Sequence, residues 1–201
     1  FKEAYQKKSN PGPRTTILVT NYNLEQYIGA CLDSVKNQSD QDWECIVVDD
    51  NSPNATGWEY ALAQSEADPR FRVHRNEQNV YLAEARNIGI RLARGRYILP
   101  LDADDMLAPD AVKLLADALD SDRTIAVAYG NVQFRNEDGV TPTDYSGVYG
   151  DAKFQPGYSA WPFPFVHEQQ IRQMNLLPYC SMYRREAWRQ TGGYRRRCRT
   201  A

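Results

Sequence analysis

No stretch of this sequence approaches the roughly 18 consecutive apolar residues of a membrane span, and it does not open with the basic-then-apolar pattern of a secretory signal. Its four cysteines, Cys31, Cys45, Cys180 and Cys198, form no CxxC pair, and its two histidines, His74 and His167, add no zinc spacing. Neither sign of charge dominates. With 24 basic and 26 acidic residues the net charge is −2, so no global field draws the chain to nucleic acid. A Gly-rich phosphate loop near the first apolar run is missing, as are internal repeats and low-complexity tracts. Cys31 and Cys45 sit in apolar patterns and read as buried thiols. The expected compartment is therefore the reducing cytoplasm, the inner face of its membrane included. The sequons at Asn37 and Asn54 are expected to stay bare.

What is present suits one domain with a sizeable core: 201 residues, 42% of them hydrophobic. Residues 1–14 are polar, end in Asn10-Pro11-Gly12-Pro13 and read as a linker or leader. The chain starts without Met, so a piece of something longer is expected. From Thr15 a rhythm sets in. Thr15 to Thr20 and Cys45 to Val48 are β-branched apolar runs and read as buried strands. Leu24 to Gln38 carries apolar residues at helical spacing. Further helices are predicted over 58–67, 82–94 and from Pro109 onward, with strands over 71–75, 97–101 and 125–129. Such alternation implies an α/β domain with a mostly parallel sheet and helices on both faces, whose ligands bind at the carboxyl ends of the strands. After Gly130 the rhythm breaks; irregular loops and short antiparallel strands are expected through the WPFPF segment, Trp161 to Phe165.

Three polar motifs fall at those strand ends. RYILPLDADDM places Asp102, Asp104 and Asp105 within four residues, with no lysine or arginine beside them in sequence. Like charges repel by about 1 kcal/mol per pair at ~4 Å in water, and more when partly buried. A divalent cation with hard oxygen ligands, taking further oxygens from a phosphate substrate, would relieve this; a turn or helix cap is the plainer alternative. A calcium loop counted from Asp102 fails, with Leu107 at its sixth position and Lys113 at its twelfth. A DxDx[TV] phosphatase would need Thr or Val where Met106 stands. IVVDDNS holds an acidic pair able to accept from an imide N–H or ribose hydroxyls, or to form an Asx-turn. TNYN offers Tyr22 for stacking, and Asn23 with Gln26 as a capping box for the next helix. A fourth block, NVYLAEARNIGI, carries Arg86, suited either to a diphosphate or to a salt bridge with the acidic rim. In the same block Gly89 is suited to close helix–sheet packing.

TILVTNYN, DWECIVVDDNS, NVYLAEARNIGI, GRYILPLDADDM and SMYRREAWRQTGGY, in this order, resemble the family 2 glycosyltransferases over about Thr15 to Tyr194. The resemblance implies a Rossmann-like GT-A fold over residues 15–201 and inverting transfer of a sugar from a nucleotide diphosphate donor, with uridine the expected nucleoside, to a hydroxyl acceptor. By position, Thr20, Tyr22 and Asp50 would hold the nucleobase, with Arg86 near the diphosphate. Asp102 and Asp104 would be the DxD pair, Asp104 ligating Mn²⁺ or Mg²⁺ and Asp102 near the ribose or the metal's waters. Asp105 is an additional acid. Tyr81 departs from the family, which often has Gly there. The family usually supplies its catalytic base shortly after the segment matching Gly192-Gly193-Tyr194. Beyond Asp151 the only carboxylate side chains are Glu168 and Glu186, the latter expected to be structural. The base is therefore expected beyond Ala201, and this chain to bind nucleotide and metal while transferring sugar poorly. Sugar and acceptor are not specified. A receiver-like Mg²⁺-binding phosphoacceptor domain and an inactive nucleotide-sugar-binding module stand as alternatives.

Overall fold

A computed structural model of the chain describes residues 12–130 and 180–195. The elements run β1 (Thr15–Asn21), α1 (Ile28–Lys36), β2 (Trp43–Asp49), α2 (Thr56–Ala67), β3 (Phe71–Arg75), α3 (Tyr81–Leu92), β4 (Tyr97–Asp102), α4 (Ala111–Ser121), β5 (Val127–Tyr129), β6 (Ser181–Arg184) and α5 (Arg185–Thr191). By compactness the chain divides into two units, Phe1–Ala128 with Met182–Ala201, and Tyr129–Ser181. Nearly all of the second unit, including WPFPF and Glu168, lies outside the described residues.

One six-stranded sheet has the order β3-β2-β1-β4-β6-β5. β1 pairs in parallel with β2 and β4, β2 in parallel with β3, and β4 antiparallel with β6. The expectation of a mostly parallel sheet therefore holds. β1 and β2 are buried along their whole lengths, as strands covered on both faces must be. On one face Leu18, Ile46, Val48 and Ile98 form a cluster with Ala85, Ile90 and Ala93 of the α3 region, and Trp188 of α5 packs against it. Gly89 makes that approach possible: a Cβ there would lie 2.1 Å from Leu18 Cδ1. Each fully buried leucine, isoleucine or valine of this cluster contributes about 1.5–3 kcal/mol. α1 and α4 are joined through Gln38, whose amide donates to Ala108 O and accepts from Val112 N.

At the amino ends of the strands Glu44 is 1% exposed yet fully satisfied. It accepts from the Thr16 hydroxyl at 2.8 Å, from the N–H groups of Arg94 and Gly95, and from the guanidiniums of Arg94 and Arg72. Burial alone would raise its pKa, but these donors outweigh burial and hold it below the usual carboxylate range.

The first helix corrects an expectation. It begins at Ile28, four residues later than Leu24, and Asn23 does not cap it; the cap position is Tyr27, with no side-chain bond. Asn23 instead adopts a left-handed conformation, φ +56°, and its N–H donates to Ser52 Oγ at 3.1 Å. Leu24 to Tyr27 form a separate turn in which Leu24 O accepts from the N–H groups of Tyr27 and Ile28. The contact with the β2 loop fixes the end of β1 and outcompetes the local capping box.

Candidate active site

The parallel register aligns the strand tips. Asn21 stands opposite Asp49, Asp49 opposite Arg75, and Thr20 opposite Asp102. β1 is the middle strand, and its last carbonyls receive both neighbouring loops. Asn21 O accepts from Asp50 N at 2.8 Å, and Thr20 O from Ala103 N at 3.1 Å. With strands ~4.8 Å apart, Asp50 and the DADD turn lie on one rim, about two strand spacings from each other.

The two acids after β2 divide the roles that the sequence left open. Asp49 is structural. Its carboxylate accepts from Asn21 Nδ2 at 2.8 Å, Ser52 Oγ at 2.6 Å and Ser52 N at 3.1 Å, and pairs with Arg75 Nε at 3.3 Å. It ties the turn after β2 through the N–H three positions on, not the two of an Asx-turn. Asp50 is 4% exposed and, among the described residues, held through Oδ1, which accepts from Asn76 Nδ2 at 2.7 Å and Val80 N at 2.9 Å. Asn76 was not singled out from sequence; its signal is an amide directly after β3, where a rim residue must lie. Tyr22, at the tip of β1, is 43% exposed.

The sequence shows no cation beside the DADD acids; the fold supplies one. Arg86, from the second turn of α3, donates to Asp102 Oδ1 at 2.7 Å, and the Thr20 hydroxyl donates to the same oxygen at 3.0 Å. The Arg86 guanidinium also stands 5.7 Å from the centre of the Tyr194 ring, and its buried Nε has no partner among the described residues. Asn87 fastens the glycine-rich segment after α5 to α3. It donates to Tyr194 O at 2.9 Å and accepts from Tyr194 N and Trp188 Nε1. Glu186, expected to be structural, meets Arg189 at 3.5 Å within α5.

Asp102 to Asp105 form a turn closed by Asp105 N on Asp102 O at 2.9 Å. Asp104 is exposed and Asp105 half-buried. Burial, then the charges of Asp104 and Asp102, push the Asp105 pKa up to about 6, against the opposing pull of Arg86. Among the described residues no group of three or more His, Cys, Asp or Glu side chains converges as a ready-made metal cage. The donor set does suit a cation that keeps open positions. Both described bonds to the Asp102 carboxylate fall on Oδ1, and hard carboxylate oxygens face solvent at Asp104. An open cavity of about 740 Å³, lined by residues such as Arg14, Arg94 and Arg96, includes none of these acids. Three of its arginines are already paired, Arg14 and Arg96 with Asp120 and Arg94 with Glu44.

The sequence matches the model of glycosyl transferase family 2 over residues 16–192. This chain belongs to that family. The match sets aside the receiver-like alternative. The hyaluronan synthase of Pasteurella multocida is 31% identical over 192 residues, 96% of this chain and 18% of that protein. The chain spans under half the length of the curated relatives it matches. S. aureus TarS 1–349 in complex with UDP-GlcNAc superimposes with a TM-score of 0.66 at 22% identity, covering 90% of this chain and 48% of that one. The mannosyltransferase PcManGT of Pyrobaculum calidifontis, in complex with GDP-Man and Mn²⁺, gives 0.62 at 20% identity, covering 92% and 48%. These likenesses establish the GT-A fold.

Proposed function

We propose that the rim binds a nucleotide diphosphate sugar, a UDP-sugar, and that the family 2 domain transfers the sugar to a hydroxyl acceptor with inversion. The observation carrying this is the placement of Asp50 and the DADD turn on the two sides of the β1 tip. In this reading the base-reading acceptor and the acidic cation site flank the β1 tip, and the nucleoside diphosphate spans it. The relative seen with UDP-GlcNAc supports the choice of donor, and the one seen with Mn²⁺ supports a divalent cation.

In this proposal Asp50, anchored through Oδ1, presents its carboxylate to the ring N–H of the base, and the exposed Tyr22 ring stacks on it. Thr20, with its hydroxyl on Asp102, joins the base side to the acidic side. Asp104 and Asp102 hold Mn²⁺ or Mg²⁺, which when bound acts as a Lewis acid on the departing diphosphate. Arg86 adds a fixed positive charge beside that leaving group. The acceptor oxygen forms its bond to the anomeric carbon as the bond to the diphosphate breaks on the opposite face, and the hydroxyl proton passes to a general base.

Calorimetric titration with UDP, GDP and their sugars, with and without Mn²⁺, tests the proposal. Binding of UDP that tightens with Mn²⁺ is expected. Heat-silent, displacement-negative behaviour towards every nucleotide would overturn it.

A further inference from the structure

Among the described residues three that are not glycine have positive φ: Asn23 at +56°, Asn51 at +63° and Tyr81 at +66°. Asn23 and Asn51 lie in the connections that follow β1 and β2, and Tyr81, the first residue of α3, directly follows the connection after β3, so all three stand at the rim. Asparagine enters this conformation readily; an aromatic residue does so at a real steric cost. Burial does not offset the cost at Tyr81, which is 76% exposed. The conformation is imposed from its flanks. Tyr81 N donates to Asn79 Oδ1, and the preceding N–H, that of Val80, donates to Asp50 Oδ1, both at 2.9 Å. An exposed ring on a strained backbone is thus fixed one residue from a bond to the acid assigned to the nucleobase. Strained residues of this kind are held by their surroundings and cluster at active sites and ligand clamps.

We propose that Tyr81 contacts the donor, its ring closing over the face of the nucleobase held by Asp50. This rests on the UDP-sugar reading above and adds to it a second aromatic surface at the base, beside Tyr22. A base–aromatic stack is sequence-tolerant and, judged by truncation, strong enough to register in affinity.

The test compares Tyr81→Phe, Tyr81→Asn and Tyr81→Gly with the unaltered chain, titrating UDP and, separately, pyrophosphate, each with Mn²⁺. Tyr81→Gly relieves the backbone and should raise the thermal midpoint by about 2 °C. Tyr81→Asn keeps the left-handed turn without a ring. Both should bind UDP about tenfold more weakly and pyrophosphate unchanged, while Tyr81→Phe binds both as the unaltered chain does. A general loosening of the loop would weaken pyrophosphate as well, and that result overturns the inference. So does UDP binding by Tyr81→Gly within twofold of the unaltered chain. Failure of the unaltered chain to bind UDP overturns the donor reading and this inference together.

Discussion

Two adjacent aspartates lead to opposite expectations. Both oxygens of Asp49 are engaged, by Asn21, Ser52 and Arg75, and the carboxylate itself is buried. Asp49→Asn replaces one of those acceptors by a donor facing donors, and should cost about 2–4 kcal/mol in denaturant unfolding. Asp50→Asn keeps an amide oxygen for Asn76 and Val80, so stability should change by less than about 1 kcal/mol. Its amide hydrogens then oppose the base's ring N–H, and UDP affinity measured by calorimetry should fall at least about tenfold. Parallel losses of stability in the two variants would contradict this division. The acidic pair was plain in the sequence, but the division of labour was not. It depends on which carboxylate meets Ser52 and which meets Asn76, residues three and 26 positions away, and no local pattern encodes the second distance.

At the level of elements, α3 carries most of the site's geometry. It brings Arg86 to Asp102 and Asn87 to Tyr194, and it sits close because Gly89 has no side chain. The helix itself and the role of Gly89 were legible, since an apolar stripe at helical spacing with one glycine on it has few other physical readings. The start of α1 was not legible: Asn23 and Gln26 match a capping box, and only the bond from Asn23 N to Ser52 pulls the chain elsewhere. The partnership of Arg86 with the DADD acids was one of two options in sequence, and packing of α3 on β1 selects it. Gly89→Ala is a sharp test of the close approach. Alanine is the better helix former by about 1 kcal/mol. Here its Cβ would meet Leu18 Cδ1 and Val48 Cγ2, and overpacking of this kind costs about 1–3 kcal/mol. The variant should therefore be less stable in spite of its propensity, and the displaced Arg86 should also weaken Mn²⁺–UDP binding. A rise in the unfolding midpoint would mean that α3 does not bear on the sheet as closely as Gly89 implies.

Across the whole molecule the two ends of the sheet are electrostatic opposites. At the amino end Glu44 is buried and answered by Arg94, Arg72 and Thr16, so its pKa is depressed in the folded chain. The unfolded chain therefore takes up that proton first, near pH 4.3. The stabilisation is complete above that pH and disappears as pH falls through the lower folded value. The stability difference between the unaltered chain and Glu44→Gln, roughly 1.5–3 kcal/mol at pH 7, should shrink steadily below about pH 4. At the carboxyl end three acids face one arginine, and the Asp105 carboxyl is already pushed up to about 6 by burial and by its two neighbours. On the proposed reading a bound cation relieves this repulsion, so ligands should act on the stability of the molecule as a whole. A nucleotide and cation bound to the folded chain alone, at about 100 times their dissociation constant, contribute about 2.7 kcal/mol, which for a chain of this size raises the thermal midpoint by about 5–10 °C. Asp104→Ala removes the exposed carboxylate and one repulsion together. Without Mn²⁺ it should melt at or slightly above the unaltered chain. With UDP it should keep the rise due to the nucleotide, because Asp50 is untouched, and lose the further rise that Mn²⁺ adds. Differential scanning calorimetry over the four combinations of UDP and Mn²⁺ separates these terms. A full Mn²⁺ increment in Asp104→Ala would place the cation away from the DADD turn.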